Sequence, residues 1–230
     1  MFRGVERRRQ PPPTLGHMEQ FPDLAAMREE YGMAGLDVAD CAADPFDQFA
    51  RWFAEAAMLP EPSAMVVATA DATGTPSVRT VLLKGVAAGG FTFFTNTTSA
   101  KGRDLAVRPA VALLFPWHPL ERQVRVSGAA HRLPDDEVAA YFATRPRGSQ
   151  LGAWASHQST PVADRAELEA AHAAAQQRFP DEVPVPPHWG GYRVVPESFE
   201  FWQGRPGRMH DRITYTRRPD ENWQLGRLAP

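Results

Sequence analysis

The chain is poor in cysteine, carries little net charge and has no long apolar run. Cys41 is the single cysteine among 230 residues, so one chain cannot form an internal disulfide or a multi-cysteine metal site, and a reducing compartment such as the cytoplasm is expected. The formal net charge of −2 argues against a surface built to neutralise nucleic acid. No apolar run reaches the length of a membrane-spanning helix. We therefore expect neither a nucleic-acid partner nor a membrane partner.

Several catalytic motifs are also absent. The sequence contains no H-E-x-x-H, G-x-S-x-G or G-x-G-x-x-G motif, and its seven histidines are scattered along the chain. These absences argue against an acyl-transfer constellation and against a metal site. The chain does offer cationic, aromatic and hydroxyl side chains, without an evident nucleophile. Its chemistry is therefore expected to come from a bound, phosphorylated cofactor.

Residues 1–17 form a basic, proline-rich stretch without the apolar segment of a secretory signal. We expect this stretch to be a disordered tail, with Met18 as an alternative start. The rest of the chain is long enough to bury one sizeable core or two small ones.

The hydrophobic periodicity alternates between helix and strand spacing along the chain. Apolar residues three and four apart predict helices, one of them with Asp44 as N-cap before Pro45. Predicted helices cover residues 21–31, 45–59, 99–107 and 163–179, and a further helix begins near residue 133. Alternating residues bounded by turns predict strands. Predicted strands cover residues 64–70, 77–84, 91–95, 110–115, 122–130, 189–195, 198–203, 208–216 and 223–227.

The stretch from Arg145 to Ser159 reads R-P-R-G-S-Q-L-G-A-W-A-S-H-Q-S and is rich in side chains that bind phosphate. Arginine offers a planar fork of N–H groups, and Ser149 adds a hydroxyl at the head of a helical turn. Tyr141, Arg145 and Ser149 recur at intervals of four, although Pro146 predicts a break or kink between them. The pattern indicates a phosphate grip, and an ordinary solvated helix start is the alternative.

Cationic residues also bracket an apolar strand and open a later helix. Arg79 and Lys84 flank the apolar residues 81–83, a placement that is costly unless the charges meet anions or water. The run from Thr95 to Gly102, T-N-T-T-S-A-K-G, supplies hydroxyls and backbone N–H groups before a helix with Lys101 in its first turn. This run predicts an anion nest, and its spacing differs from that of a P-loop.

Positive charge is concentrated near the carboxyl terminus. Strand alternation over residues 208–216 places Arg208, His210 and Arg212 on one face, which favours an anion site over a core position. In the predicted strand over residues 122–130, the polar residues Gln123, Arg125 and Ser127 alternate with Val124, Val126 and Gly128. The polar face of that strand suits either a ligand or water.

Taken together, these motifs resemble the pyridoxamine (pyridoxine) 5′-phosphate oxidase family. The resemblance spans Met18 to Pro230 and is carried by R-T-V-L-L-K (Arg79 to Lys84), F-F-T-N-T-T-S-A-K-G, E-R-Q-V-R-V, the Tyr141 to Ser159 stretch, E-F-W-Q-G-R-P-G-R-M-H-D-R and the R-L-A-P ending. It implies a mainly β fold with flanking helices, an FMN-binding split β-barrel that residues 18–230 form as a single domain. It also implies a homodimer that binds FMN in clefts between the subunits.

The resemblance assigns roles to individual residues. The implied FMN contacts are Arg79, Thr80, Val81, Leu82, Leu83, Lys84, Phe94, Thr95, Lys101, Gln123, Gln158, Ser159, Trp202 and Arg212. The implied contacts to the substrate phosphate are Lys84, Tyr141, Arg145 and Ser149. Arg208 and His210 would be the catalytic pair beside the reacting carbon. Arg28 and Tyr31 match a segment that covers the substrate.

The implied reaction is the oxidation of pyridoxamine 5′-phosphate, or pyridoxine 5′-phosphate, to pyridoxal 5′-phosphate. The substrate would pass a hydride from C4′ to flavin N5, the resulting imine would hydrolyse with release of ammonia, and O2 would reoxidise the flavin to give H2O2. Two alternatives stay open. One is a related flavin oxidase of the phenazine-biosynthesis type, and the other is a non-catalytic split-barrel module that binds flavin or pyridoxal phosphate.

Four positions depart from the family pattern. Ala100 stands where members often carry an arginine that contacts the FMN phosphate, while Phe94 replaces a tyrosine, Glu29 an arginine and Met209 a leucine. Loss of the arginine is expected to weaken FMN affinity without removing the chemistry, because Arg79 and Lys101 remain.

Overall fold

The computed structural model describes residues 30–230. The predicted tail over residues 1–17, most of the predicted helix over residues 21–31, and Arg28 lie outside the described residues. The strands are β1 (Ala64–Ala70), β2 (Pro76–Leu82), β3 (Gly85–Ala87), β4 (Gly90–Asn96), β5 (Ala110–Trp117), β6 (Arg122–Arg132), β7 (Trp189–Gln203), β8 (Asp211–Arg217) and β9 (Trp223–Arg227). The helices are α1 (Pro45–Ala56), α2 (Ala100–Val107), α3 (Asp135–Ala143), α4 (Arg147–Ala155) and α5 (Arg165–Arg178). No helix of this described part combines the length and apolar character needed to cross a membrane.

The strands form one antiparallel sheet in the order β2-β1-β5-β6-β7-β4-β3, and β8 pairs with both β7 and β9. The first half of β7 pairs with β4 and its second half with β8, while β6 runs along its other side. One long strand therefore serves two parts of the sheet. The sheet curls into a half-barrel around this strand, and the helices flank it.

A bulge allows β7 to be continuous where the sequence predicted two strands, over residues 189–195 and 198–203. Pro196 cannot donate a ladder hydrogen bond, which favoured a break. The structure instead shifts the β6–β7 register beside Gly128. A Cβ at Gly128 would lie 2.1 Å from the Val195 carbonyl oxygen, so only glycine lets the two backbones approach this closely.

The core inside the curved sheet is dominated by aromatic rings, several of them from α1. Asp44 caps this helix by accepting the Phe46 N–H at 2.7 Å, and Pro45 occupies the first turn, as predicted. Phe49 packs edge-on against Phe91 of β4, with 4.9 Å between ring centroids. Burying such a side chain contributes about 1.5–3 kcal/mol, so the apolar face of α1 fixes the helix to the sheet.

A second, smaller core lies between α3, α4, α5 and the start of β7. Phe142 of α3 packs edge-on against Trp189, with 4.9 Å between ring centroids. Leu151 of α4 and Ala175 of α5 are buried in the same cluster. The large core fixes β2 and β4, and the small core fixes α3 and α4. The candidate site lies between these two sets of elements.

Pro146 and Pro206 each lie at the boundary of a predicted element, and the prediction is confirmed at the first and wrong at the second. The predicted helix break at Pro146 is confirmed, because α3 ends at Ala143 and α4 begins at Arg147. The predicted strand over residues 208–216 is wrong in its first residues, since a 3-10 turn covers Pro206–Arg208 and β8 begins at Asp211. The φ angles of Gly207 and Arg208 are 63° and 61°, values that a strand does not allow. Arg208, His210 and Arg212 therefore do not form the predicted alternating face.

Candidate functional site

A cavity of about 490 Å³ lies between β2, β4, α2 and the α3–α4 pair. This volume suits a small ligand or cofactor. The cavity is lined by many of the residues that the sequence predicted for FMN or substrate, namely Thr80, Val81, Leu82, Lys84, Phe94, Thr95, Lys101, Tyr141, Arg145, Ser149 and Gln158. The fold thus collects them from five separate segments of the chain.

The amine of Lys101 is buried beside the cavity. Ser99 caps α2, and the first turn of that helix holds Lys101 Nζ 3.0 Å from Thr95 Oγ1 and 2.8 Å from Gln158 Oε1. Both acceptors are neutral, and Lys101 is only 7% exposed. Burial, helped by the positive charge of Arg79, lowers the pKa of Lys101 to about 8. A phosphate here would meet an amine that no carboxylate of the described chain neutralises.

The backbone of the loop before α2 contributes less than the predicted anion nest. The Thr98 N–H donates to Asn96 Oδ1 at 2.8 Å, and the Gly102 N–H donates to Ser99 Oγ at 3.3 Å. The loop therefore satisfies these two N–H groups with its own side chains. The cationic group that this run brings to the cavity is the amine of Lys101.

Six predicted FMN contacts lie outside this cavity, namely Gln123, Trp202 and Arg212 on the β6–β8 sheet, and Arg79, Leu83 and Ser159. The Arg79 guanidinium donates to Thr69 Oγ1 at 2.7 Å and to Ser77 Oγ at 2.7 Å. Leu83 packs in the large core. Ser159 lines a neighbouring cavity of about 520 Å³ beside α5. The roles predicted for Arg79, Leu83 and Ser159 stay predictions.

Arg145 supplies a second cation, which is half-buried. It lies between Tyr141 at the end of α3 and Ser149 in the first turn of α4, and all three side chains line the cavity. The guanidinium carbon of Arg145 lies 4.7 Å from the centroid of the Trp189 ring. Burial lowers the pKa of Arg145, and its Nη1 atom is buried without a hydrogen-bond partner among the described residues. Buried polar groups are normally paired, so this atom is expected to find its partner in a ligand.

The neighbouring Arg147 contacts the protein backbone and does not line the cavity. Its guanidinium donates to the backbone carbonyl oxygens of Phe179, Pro180 and Asp181, just beyond the end of α5. Only Arg145 of the two arginines in the predicted phosphate grip lines the cavity. Arg147 instead fastens the start of α4 to the connector that leads to β7.

Nearly parallel aromatic rings form one wall of the cavity. The Phe94 and Tyr141 centroids lie 3.9 Å apart with 6° between the ring planes, and Trp189 stacks on Phe94 at 5.3 Å. Sequence reasoning missed Trp189, which stands alone at the first position of a predicted strand. It also missed Gly152, although the spacing of three residues from Ser149 places both on one face of a helix.

A second group of predicted residues lies on the β6–β8 sheet, on the face opposite the large core. Gln123 pairs in register with Trp202, and Trp202 pairs with Arg212. The alternate residues Val124 and Phe201 point into the large core. None of the three paired residues lines the cavity of the same chain. We call this set, together with Tyr31, Arg208 and His210, the β6–β8 group.

Within the β6–β8 group, an aromatic cluster surrounds His210. The His210 ring centroid lies 4.6 Å from that of Trp202 and 5.6 Å from that of Tyr31. His210 Nδ1 accepts the backbone N–H of Arg205 at 3.1 Å. Because Nδ1 is an acceptor, the hydrogen of the neutral ring is carried by Nε2. The nearby Arg208 is exposed. The structure therefore assembles the predicted site as two separate sets within one chain.

Sequence comparisons match most of the chain to one family. The family model described as pyridoxamine 5′-phosphate oxidase matches residues 54–179, and the model described as the pyridoxine 5′-phosphate oxidase C-terminal dimerisation region matches residues 189–230. A pyridoxine/pyridoxamine 5′-phosphate oxidase of Nocardioides sp. is 60% identical over 218 residues, which are 94% of this chain and 100% of the relative. The enzyme of the same name from Streptomyces avermitilis is 56% identical and covers 90% of this chain and 96% of its own.

Structural comparisons identify two informative neighbours. The crystal structure of PhzG from Burkholderia lata, in complex with tetrahydrophenazine-1-carboxylic acid, has a TM-score of 0.81 and 30% sequence identity and covers 88% of this chain and 100% of its own. A pyridoxamine 5′-phosphate oxidase-related, FMN binding protein from Nostoc punctiforme has a TM-score of 0.67 at 17% identity and covers 82% of this chain and 100% of its own. These likenesses confirm the predicted split β-barrel with flanking helices.

Proposed function

Because the chain belongs to the pyridoxamine 5′-phosphate oxidase family, we propose that it oxidises pyridoxamine 5′-phosphate and pyridoxine 5′-phosphate to pyridoxal 5′-phosphate. FMN is the cofactor of this family. When bound, FMN supplies a hydride acceptor that O2 can reoxidise with formation of H2O2. The products of the amine reaction are then the aldehyde, ammonia and H2O2, with one water consumed.

The observation that carries the proposal is the presence in one cavity of two cations without a carboxylate partner, the buried Lys101 and the half-buried Arg145 with its buried Nη1 atom. Lys101 and Arg145 both line it, and neither forms an ion pair with a carboxylate of the described chain. Leaving buried charges unpaired is costly, so such positions are retained where an anion binds. Two phosphate esters, one on the cofactor and one on the substrate, provide the two anions that these side chains lack. The residues present therefore fit FMN and a phosphorylated substrate.

We assign the two cations to different phosphates. Lys101, with Thr95 and Gln158 around its amine, would hold the FMN phosphate. Arg145 would hold the substrate phosphate through charge-assisted hydrogen bonds, with the hydroxyls of Tyr141 and Ser149 beside it. This division agrees with the roles that the sequence resemblance implies for these residues, and Lys84 lies at the cavity edge where either phosphate can reach it.

We further propose that the site is completed by a second copy of the chain. The β6–β8 group does not line the cavity of its own chain, and most of it lies in residues 189–230, which match the dimerisation region of the family. In a two-fold dimer each cavity would face the β6–β8 group of the other subunit. His210 would then present its Nε2 hydrogen to the substrate, and the exposed Arg208 would add a positive charge beside the reacting carbon.

A second candidate function is the oxidation of a reduced phenazine. It is favoured by the structural likeness to PhzG, whose crystal structure contains tetrahydrophenazine-1-carboxylic acid. The guanidinium of Arg145 suits the phosphate of a B6 ester and also the carboxylate of the phenazine acid. The phosphorylated substrate is favoured instead by the relatives of 56–60% identity, which are named pyridoxine/pyridoxamine 5′-phosphate oxidase.

The test offers each substrate to purified protein loaded with FMN in air, while aldehyde and H2O2 are followed. We expect both products from pyridoxamine 5′-phosphate and from pyridoxine 5′-phosphate, and little from pyridoxamine without its phosphate. Oxidation of tetrahydrophenazine-1-carboxylic acid alone would favour the second function. Binding of flavin without any turnover would indicate a non-catalytic module.

We also propose a cytoplasmic location, which rests on the single cysteine.

A further inference from the structure

The segment of residues 31–36 is held against the barrel by two carboxylates. Glu121 accepts the backbone N–H of Gly32 at 3.1 Å and that of Met33 at 3.0 Å, both at Oε2. Asp211 accepts the backbone N–H of Leu36 at 3.0 Å through its Oδ2 atom. Each carboxylate therefore fastens a different part of the segment, and the two attachments can be broken separately.

Glu121 is itself fixed by every polar group of its backbone. It occupies the turn between β5 and β6 with φ 52°, a left-handed conformation that favours glycine. Its N–H donates to the His118 carbonyl at 2.8 Å, and its carbonyl accepts the Gly204 N–H at 2.7 Å and Gln203 Nε2 at 3.2 Å. These bonds aim the carboxylate at the segment. Residue 121 is a glutamate although its φ angle favours glycine.

The attachment places Tyr31 on the aromatic cluster of the β6–β8 group. The Tyr31 ring packs edge-on against Trp202 at 5.7 Å and against His210 at 5.6 Å between centroids. Gly204 provides the space beneath it, since a Cβ there would lie 2.8 Å from Tyr31 Cγ and 3.0 Å from Glu121 Cβ. The position of Tyr31 thus depends on the Glu121 carboxylate and on the absence of a Cβ atom at Gly204.

We propose that Glu121 is a positioning residue whose carboxylate holds Gly32 and Met33 and thereby keeps Tyr31 against His210 and Trp202. The effect on turnover rests on the proposed function, because it requires that His210 and Tyr31 serve the substrate. The effect on the position of residues 31–36 does not rest on the proposed function. Removing the carboxylate leaves Lys101, Arg145, Arg208 and His210 in place, so it chiefly weakens substrate binding and spares the chemical step.

The experiment measures amide hydrogen exchange at single residues in the FMN-loaded protein, together with KM and kcat. Glu121→Ala should speed exchange at Gly32 and Met33 by roughly tenfold, the effect of losing a hydrogen bond to a charged acceptor. Leu36, held by Asp211, is the internal control and should keep its exchange rate. KM for pyridoxamine 5′-phosphate should rise more than kcat falls. Glu121→Gln, which retains an acceptor oxygen, should lie between wild type and Glu121→Ala in both measurements.

Gly204→Ala provides a second route to the same result, because it retains the Glu121 carboxylate while its added Cβ crowds Tyr31 most closely and the Glu121 side chain next. It should raise KM in the same way. Unchanged exchange at Gly32 and Met33 in Glu121→Ala would overturn the proposal, as would a loss confined to kcat in both variants. If the wild-type protein does not oxidise the B6 esters, the proposed function fails, while the exchange rates still decide whether Glu121 holds the segment.

Discussion

The guanidinium carbon of Arg145 lies 4.7 Å from the centroid of the Trp189 ring, while Nη1 of the same guanidinium is buried without a hydrogen-bond partner among the described residues. The Trp189 ring packs on one face of the guanidinium, and the Nη1 hydrogens of the guanidinium remain without an acceptor among the described residues. A cation held in this way is preorganised for a phosphate, because its orientation is fixed before the anion arrives.

Arg145→Ala should raise KM for pyridoxamine 5′-phosphate and leave kcat nearly unchanged. A charge-assisted hydrogen bond is worth about 1.5–3 kcal/mol, which corresponds to a rise in KM of roughly 10–100-fold. Steady-state kinetics measure both constants. The matched control is Arg165→Ala, since Arg165 is an exposed helix residue whose one ion pair among residues 30–230 is with Glu169. A loss confined to kcat in Arg145→Ala would show that the residue serves the chemical step instead.

Arg208→Met should slow turnover and leave FMN bound. The exposed Arg208 forms no ion pair within the described chain, so its removal does not disturb the fold, and the cofactor phosphate is assigned to Lys101. We expect the visible flavin spectrum and the FMN dissociation constant to match wild type while kcat falls by at least tenfold. Arg218→Met is the control for charge near the same terminus. Loss of FMN from Arg208→Met would contradict its assignment to the substrate.

FMN affinity should fall as the pH rises above 8, because Lys101 loses its proton there. The folded pKa lies below the ordinary value of 10.5, so between these two pH values the unfolded chain binds more protons than the FMN-free folded chain. The free energy of unfolding of the FMN-free protein should therefore rise with pH across this interval. Fluorescence titration with FMN and urea unfolding measure the two trends. Lys101→Met should remove both, and their persistence in that variant would assign them to another group.

Much of the fold could be predicted because hydrophobic spacing reports burial. The hairpin of β1 and β2, α1 with its Asp44 cap, and the break at Pro146 all follow from local pattern and turn chemistry, and the structure confirms them. The three-residue strand β3 was missed because so short a segment has no alternation to detect. The turn at Arg208 was missed because Arg208, His210 and Arg212 lie two residues apart by coincidence, while Pro206 and the left-handed Gly207 decide the backbone.

The site was predictable in its membership more than in its geometry. Motif resemblance named Lys101, Tyr141 and Arg145, which the fold brings to one cavity. Sequence could not show that Arg147 turns to backbone carbonyls, because adjacent arginines have the same chemistry and differ only in direction. It also could not show that Glu121 holds Gly32 and Met33, since those contacts join residues separated by 89 and 88 positions.

Gly128→Ala should destabilise the fold, because a Cβ there would overlap the Val195 carbonyl oxygen across the β6–β7 bulge. Forcing these backbones apart is expected to lower the free energy of unfolding by about 1–3 kcal/mol. The matched control is Gly148→Ala, where nothing lies within 4 Å of the added Cβ. Urea unfolding compares the two variants. Equal stability of both would mean that the bulge does not need glycine.

The most direct measurement of the shared site combines two impaired variants. Arg145→Ala damages the cavity and Arg208→Met damages the β6–β8 group, so a heterodimer of the two contains one doubly damaged site and one intact site if each site uses both chains. Assays at substrate concentrations well below the KM of Arg145→Ala, on chains mixed in equal amounts and allowed to reassociate, should recover about a quarter of wild-type activity. No recovery beyond the sum of the separate variants, in a mixture shown to contain heterodimers, would contradict a site built from two chains.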